Sequence, residues 1–201
     1  MIFIEKLKDT PIILGSQSPR RQELLRKLDL DFTVEIPEVD EHIDTTLTPE
    51  EIVSAIAAAK LTAFSDESYH DRLVIVADTL VADEHGTMLG KPADVAEAKS
   101  VLAQLSGREH AVYTGVTLAL RGRVHQFVER TAVWFVELEQ EEIDYYVGNY
   151  NPMDKAGSYG IQEWIGRIAV ERIDGAYENV MGLPTARLYR ELKQFMAGDI
   201  S

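Results

Sequence analysis

The 201-residue chain contains no cysteine. That removes disulfides and thiolate metal sites, so any bound metal must be held by oxygen or imidazole. The five histidines, at 42, 70, 85, 110 and 125, never take a zinc-ligand spacing. Long hydrophobic runs are also missing: nothing approaches the roughly 18 apolar residues of a membrane span. The opening MIFIEKLKDT carries acid and lacks a signal-peptide cleavage pattern. These absences predict a cytoplasmic protein with no membrane partner. Positive charge is scarce, with 20 Lys and Arg against 34 Asp and Glu and a formal net charge of −14. That balance argues against a general nucleic-acid binder, because such partners are held by a positive field that displaces counterions from phosphates. A small polyanion is not excluded, provided local positive charge gathers within a Debye length of about 8 Å. Only two tryptophans occur, Trp134 and Trp164, and both read as packed aromatics rather than base-stacking platforms.

What is present is the composition of an ordinary globular protein, 45% apolar and 27% charged. It is enough for a full core in one domain spanning residues 1–201, built as two lobes. Apolar patterning predicts strands at Pro11–Gly15, Leu73–Val76, Ala111–Leu120, Val124–Val136 and Ile165–Ile173. Helices are expected over Pro19–Leu28, from Pro49 behind the Thr48 cap, and over Asp94–Leu105, Glu139–Val147 and Pro184–Met196. Turns at His85–Gly86 and Arg121–Gly122 suggest hairpins and hence a mixed α/β sheet.

The segment LGSQSPRR, Leu14 to Arg21, sets a serine cap, a helix-starting proline and two arginines at the mouth of a helix that follows a short apolar strand. Ser18 suits the N-cap and Pro19 the first helical position, which leaves Arg20 and Arg21 in the first turn. The helix macrodipole is positive there, so each arginine should lose about 0.3–1 kcal/mol unless an anion compensates. A bound phosphate would supply that charge and accept the free N–H groups. The helix behind Thr48 makes the contrast, because Glu50 and Glu51 in its first turn obey the dipole rule.

Further along, Asp78 in IVADTLV is a carboxylate emerging where an apolar strand ends, beside the hydroxyl of Thr79. It could hold a divalent cation or take a proton from water, or the two residues could simply cap a turn. Lys91 in GTMLGKP is not part of a Walker loop, since three residues rather than four separate the glycines and Pro92 follows the lysine. Lys60 lies in an alanine-rich helix as either a phosphate ligand or a snorkelling side chain. Glu38, Asp40 and Glu41 form an acidic loop that is either solvated or a source of oxygen ligands for Mg²⁺ or Mn²⁺. DKAGSYGIQ, Asp154 to Gln162, is too long for a simple connector. The Gln162 amide offers a donor and an acceptor that can match the N3–H and O4 edge of uracil or thymine, although a flipped amide would suit cytosine.

Taken together, GSQSPRRQELL, ADTLV, LGKP and DKAGSYGIQ, in that order and with the late NVMGLP, resemble the Maf family of nucleoside triphosphate pyrophosphatases. The resemblance spans nearly the whole chain. It implies an inosine-triphosphatase-like α/β fold, with a long curved mixed sheet between two α/β lobes and a central cleft for the nucleotide. It also implies a cytoplasmic homodimer that needs a divalent cation, Mg²⁺ or Mn²⁺. Carried over by position, the resemblance puts phosphate binding on Ser16, Arg20, Arg21, Lys60 and Lys91, and an acidic metal-holding pair on Glu41 and Asp78, with Asp78 the catalytic base. Base choice falls on Arg20, Thr79 and Gln162, in a combination similar to the branch acting on dTTP and UTP. The implied reaction is hydrolysis between the α and β phosphates. Modified purine triphosphates, or a nucleotide-sensing role in cell division with little turnover, are the alternatives. Two departures stand out: Gly15 replaces the usual alanine, and Glu163-Trp164 follows YGIQ where small residues are common.

Overall fold

The computed structural model of the chain describes residues 3–36, 38–39, 46–198 and 200. Asp40 and Glu41 of the acidic loop lie outside the described residues. A short helix α1 (Phe3–Leu7) precedes β1 (Ile12–Gly15), α2 (Pro19–Arg26), β2 (Thr33–Val34) and α3 (Pro49–Thr62). The 11-residue β3 (Leu73–Asp83) leads to β4 (Met88–Leu89), α4 (Val95–Leu105), β5 (Glu109–Leu120) and β6 (Arg123–Phe135). Helices α5 (Gln140–Tyr150) and α6 (Trp164–Ala169), strand β7 (Val170–Asp174), and helices α7 (Tyr177–Met181) and α8 (Thr185–Ala197) complete the order. The strands form one seven-stranded sheet, β2-β1-β3-β5-β6-β7, with β4 paired to β3. It is mixed, as the sequence predicts: β1 is parallel to β2 and β3, while β3–β4 and β6–β7 are antiparallel. Among the described residues no helix is long and apolar enough to cross a membrane.

By its contacts the chain divides into two compact units, one of Met1–Asp78, Thr114–Glu129 and Gly182–Ser201, the other of Thr79–Tyr113 and Arg130–Met181. In the first unit the core is built on β1 and the start of β3, where Ile13, Leu14, Leu73, Ile75 and Val76 are fully buried. Leu24 and Leu25 of α2 pack into it. Helix α3 is set by a capping box: the Thr48 side chain accepts from the Glu51 N–H and the Glu51 carboxylate accepts from the Thr48 N–H. It approaches β5 so closely that a Cβ on Gly115 would fall 2.4 Å from the Val53 carbonyl oxygen, so only glycine fits there. In the second unit, α4 presents Ala98, Val101, Leu102 and Leu105 to the core, and α5 presents Ile143, Tyr146 and Val147.

Three sequence readings need correction. Ile165–Ile173 is not one strand, because residues Trp164–Ala169 form α6 and only then does β7 begin. Ile165 and Ala169, four apart, are both fully buried; that is a helical spacing hidden in a run whose composition suits a strand. Asp78 does not end a strand. It is the sixth residue of β3, and on the edge of that strand that pairs with β1 over Leu73–Val76 and with β4 over Val81–Ala82, Asp78 and Thr79 fall between the two pairing segments. The predicted helix to Leu28 stops at Arg26, and Asp29 turns the chain with φ of 57°.

Candidate active site

Parallel pairing of β1 with β3 does most to assemble the site of the first unit. Gly15 pairs with Val76, so Ser16 leaves β1 one residue beyond that pair while Asp78 stands two beyond it on the neighbouring strand. Adjacent strands run about 4.8 Å apart, which brings the β1–α2 turn alongside the Asp78 backbone. Ligands of α/β sheets gather at such carboxyl ends of parallel strands.

The turn itself is cross-linked. Ser16 is nearly buried, and its Oγ accepts from the Ser18 N–H at 3.2 Å and from Arg21 Nη1 at 3.2 Å. Ser18 caps α2, its hydroxyl accepting from the Arg21 N–H at 3.4 Å, and the first turn of that helix holds no acidic residue. The guanidinium of Arg21 is steered by a third contact, in which Nε donates to the Gly182 carbonyl at 2.8 Å. Gly182 belongs to NVMGLP, whose part in the site the sequence did not show. Arg20 is half-buried in the same helical turn.

Lys60 projects from the last turn of α3 and its Nζ lies 2.6 Å from Asp78 Oδ1. Both side chains are mostly covered, 12% exposed for the lysine and 17% for the aspartate. Lys60 is therefore an ion-pair partner of Asp78 and not a snorkelling side chain. The pair fixes the position of the carboxylate on β3, at the cost of partly desolvating both groups.

The second unit carries the remaining predicted residues. Thr79 is half-buried on β3 and Lys91 is exposed just after β4. The LGKP turn is tied to the DKAG loop, whose Gly157 N–H donates to the Gly90 carbonyl at 3.2 Å. Gln162 is half-buried, and its Oε1 is shielded from solvent without a hydrogen-bond partner among the described residues. A buried amide oxygen left this way costs on the order of 1–3 kcal/mol.

Three residues of this unit were given no role by the sequence reading. Lys155 is only 7% exposed, and its Nζ contacts Asp154 Oδ1 at 2.7 Å and Glu163 Oε1 at 3.2 Å. The other Glu163 oxygen accepts the hydroxyl proton of the fully buried Tyr146. That hydroxyl in turn accepts from the Gly160 N–H at 3.0 Å. Burial, then the Glu163 bond, pushes the Tyr146 phenol well above its ordinary range. A tyrosine on the apolar face of α5 was the available signal, since a buried hydroxyl needs a polar partner. Of the two tryptophans, Trp134 lies under the Arg172 guanidinium at 4.5 Å and Trp164 meets Tyr145 edge-on at 4.9 Å.

A mixed sheet with a serine-capped, arginine-bearing helix start and a carboxylate on the adjoining strand defines an α/β protein. The solved structure of the Staphylococcus aureus Ham1 protein shares this fold, with a TM-score of 0.51 at 15% identity over 94% of this chain and 100% of that one. The chain belongs to the Maf family: residues 11–195 match the family model described as Maf-like protein. A relative from Phocaeicola vulgatus is 49% identical over 96% of this chain and 100% of its own length, and bears the name dTTP/UTP pyrophosphatase. A Bacillus cytotoxicus protein of the same name is 50% identical over 92% of this chain and 96% of its own.

Proposed function

We propose that this chain is a nucleoside triphosphate pyrophosphatase that hydrolyses dTTP and UTP to the monophosphate and pyrophosphate. The observation that carries the reading is the β1–β3 register, which sets the Ser16–Arg21 anion turn alongside the Lys60–Asp78 pair. The full-length relatives named dTTP/UTP pyrophosphatase support the reaction and the substrate class.

Water adds to the α phosphorus and the bond from that phosphorus to the bridging oxygen breaks. Asp78 orients the water and takes its proton. Arg20, Arg21, Lys60 and Lys91 neutralise the triphosphate and the departing pyrophosphate, which is chiefly electrostatic work. Ser16 and the Gly182 carbonyl hold the Arg21 fork in one orientation, so it need not reorganise when the phosphate arrives. Arg20, Thr79 and Gln162 select the base, with Gln162 Oε1 accepting the imide N3–H of uracil or thymine.

Among the described residues no group of three or more His, Cys, Asp or Glu side chains converges as a metal cage. A carboxylate of the Asp78 type nonetheless fits an ion such as Mg²⁺ or Mn²⁺, which takes one or two protein carboxylates and completes its shell with phosphate oxygens and water. Asp78 and Glu41 would hold it, and when bound it supplies Lewis acidity to the phosphate oxygens. The same reading carries a cytoplasmic location and a homodimeric state, which sedimentation of the purified protein measures.

The decisive assay is pyrophosphate release from a panel of canonical and modified triphosphates with Mg²⁺ and Mn²⁺, for the parent and for Asp78→Asn. Preferential turnover of dTTP and UTP is expected, with a fall of at least about 100-fold in the variant. Equal activity on purines overturns the substrate assignment. Parental rates in Asp78→Asn overturn the base.

A further inference from the structure

At the end of α3 the first unit leaves a cavity of about 350 Å³, bounded by that helix, the chain that follows it to His70, Val74 of β3 and the β5–β6 turn. Every residue that lines it belongs to this one unit. Ser16, Arg21, Lys60 and Asp78 are not among them. A close-packed interior leaves few voids larger than a water molecule, whereas pockets that hold small ligands run to about 300–1,000 Å³.

The floor of the cavity is apolar and aromatic. Leu61, Tyr69 and Ala119 pack there on a buried cluster of Ile13, Phe64, Val74 and Val76, and the Phe64 and Tyr69 rings meet edge-on with centroids 5.2 Å apart. Such a lining gives water few hydrogen-bond partners. A flat apolar surface laid on it therefore gains by displacing that water and by ring-on-ring contact.

The rim is polar and balanced in charge. Arg121 and Arg123 come from the β5–β6 turn, Asp66 and Glu67 from the chain after α3. Arg121 Nε donates to Asp71 at 2.8 Å, Arg123 Nη1 to the Phe195 carbonyl at 2.9 Å, and Asp66 accepts from the Ser68 N–H at 2.9 Å. A guanidinium carries five N–H donors and a carboxylate about four acceptor sites, so each of these groups keeps capacity for a further bond. Two cations beside two anions offer a net-charged ligand little to offset its desolvation. A ring with apolar faces and both donors and acceptors on its edge satisfies floor and rim together.

We propose that this cavity is a second ligand site, apart from the triphosphate site, which takes an uncharged heteroaromatic molecule of the nucleoside class seated on Phe64 and Tyr69. Phe64 also ties the cavity to the anion turn, because it packs with Ile13 of β1 and with Val76, the register partner of Gly15.

The test is an NMR titration of the full chain with adenosine at about pH 8, where a histidine is neutral, with benzoate and phenethylammonium as anionic and cationic comparators. Adenosine should move the signals of Leu61, Tyr69, Val74 and Ala119 saturably, with a Kd on the order of 0.1–1 mM, and those of Ile13 and Gly15 with them. Both comparators should bind at least about fivefold more weakly. Ala58→Trp fills the cavity from an exposed position on α3 and should weaken adenosine at least about tenfold. Thr62→Trp, exposed at the end of the same helix, serves equally should the first variant not fold. No shift at Leu61 and Val74, an affinity unchanged in the filled variants, or comparators as tight as adenosine each overturns the proposal. So does a parent that self-associates in sedimentation while the filled variant does not and adenosine moves nothing, since the occupant is then a second copy of this chain.

Discussion

Replacing Gly15 with alanine puts one methyl group against two side chains that have little room to move. The new Cβ would sit 2.6 Å from Val76 Cγ1 and 2.9 and 3.0 Å from Phe64 Cε2 and Cζ, where ordinary carbon contacts are about 3.5–4.0 Å. Val76 is fully buried and paired in register with Gly15 itself. Phe64 is 8% exposed and braced edge-on by Tyr69 at 5.2 Å. Relief must come from off-rotamer side chains or a shift of β1, an overpacking cost of about 1–3 kcal/mol. Against this stands a gain of about 0.4–1 kcal/mol from restricting the unfolded chain. The net expectation is a loss of about 1–2 kcal/mol, which for a chain of this size lowers Tm by roughly 2–8 °C. Thermal and urea unfolding followed by circular dichroism measure it. Trimming either neighbour should recover part of the loss, so cycles of Gly15→Ala with Phe64→Leu and with Val76→Ala should each show a coupling of about 0.5 kcal/mol or more. A Gly15→Ala protein as stable as the parent, or strictly additive cycles, would refute the packing argument. The same contacts account for glycine at this position: Phe64 and Val76 already occupy the space.

Two further perturbations test other parts of the structure. Burial pulls the His110 imidazole down from 6.5 to about 4, so between those values the unfolded chain binds a proton that the folded chain refuses. Stability should therefore rise with pH from about 4 to 6.5 and be flat in this residue above, by on the order of 3 kcal/mol in all. His110→Gln, which can keep the hydrogen bond to the Tyr159 hydroxyl, should flatten that slope in urea titrations at stepped pH, and an unchanged slope would exonerate the histidine. Lys60→Met strands the Asp78 carboxylate among mostly covered atoms and should cost about 1–3 kcal/mol. Adding Asp78→Asn should recover most of that, and a double variant no more stable than Lys60→Met would mean that the pair's charge is not what matters.

Much of the fold is legible in the chain because its signals are local. Thr48-Pro49 with Glu51 three positions on writes a helix start that the structure repeats bond for bond. Arg121–Gly122, with φ of 52° and 75°, makes the tight turn that links β5 to β6. The strand read at Ile165–Ile173 failed because Ile165 and Ala169 face the core at helical spacing inside a segment of strand-like composition. There tertiary burial overrode composition. Asp78 looked like a strand end for a similar reason. The apolar run stops at Ala77, yet β3 continues to Asp83 because Val81 and Ala82 find a new partner in β4.

The site divides along the same line between near and distant causes. Arg20 and Arg21 could be singled out because they offend a rule that operates within one helical turn, and no acidic residue of that turn compensates them. What aims Arg21 could not be seen that way, since the Gly182 carbonyl comes from the far end of the chain. Lys155 shows the same limit more sharply. As a sequence letter it is one more lysine beside an aspartate, a pairing that on a surface is worth about 0–1 kcal/mol. Only the fold buries it, and there its ammonium is shared between Asp154 and Glu163. The partners of a buried charge are thus set by packing before they are set by residue type.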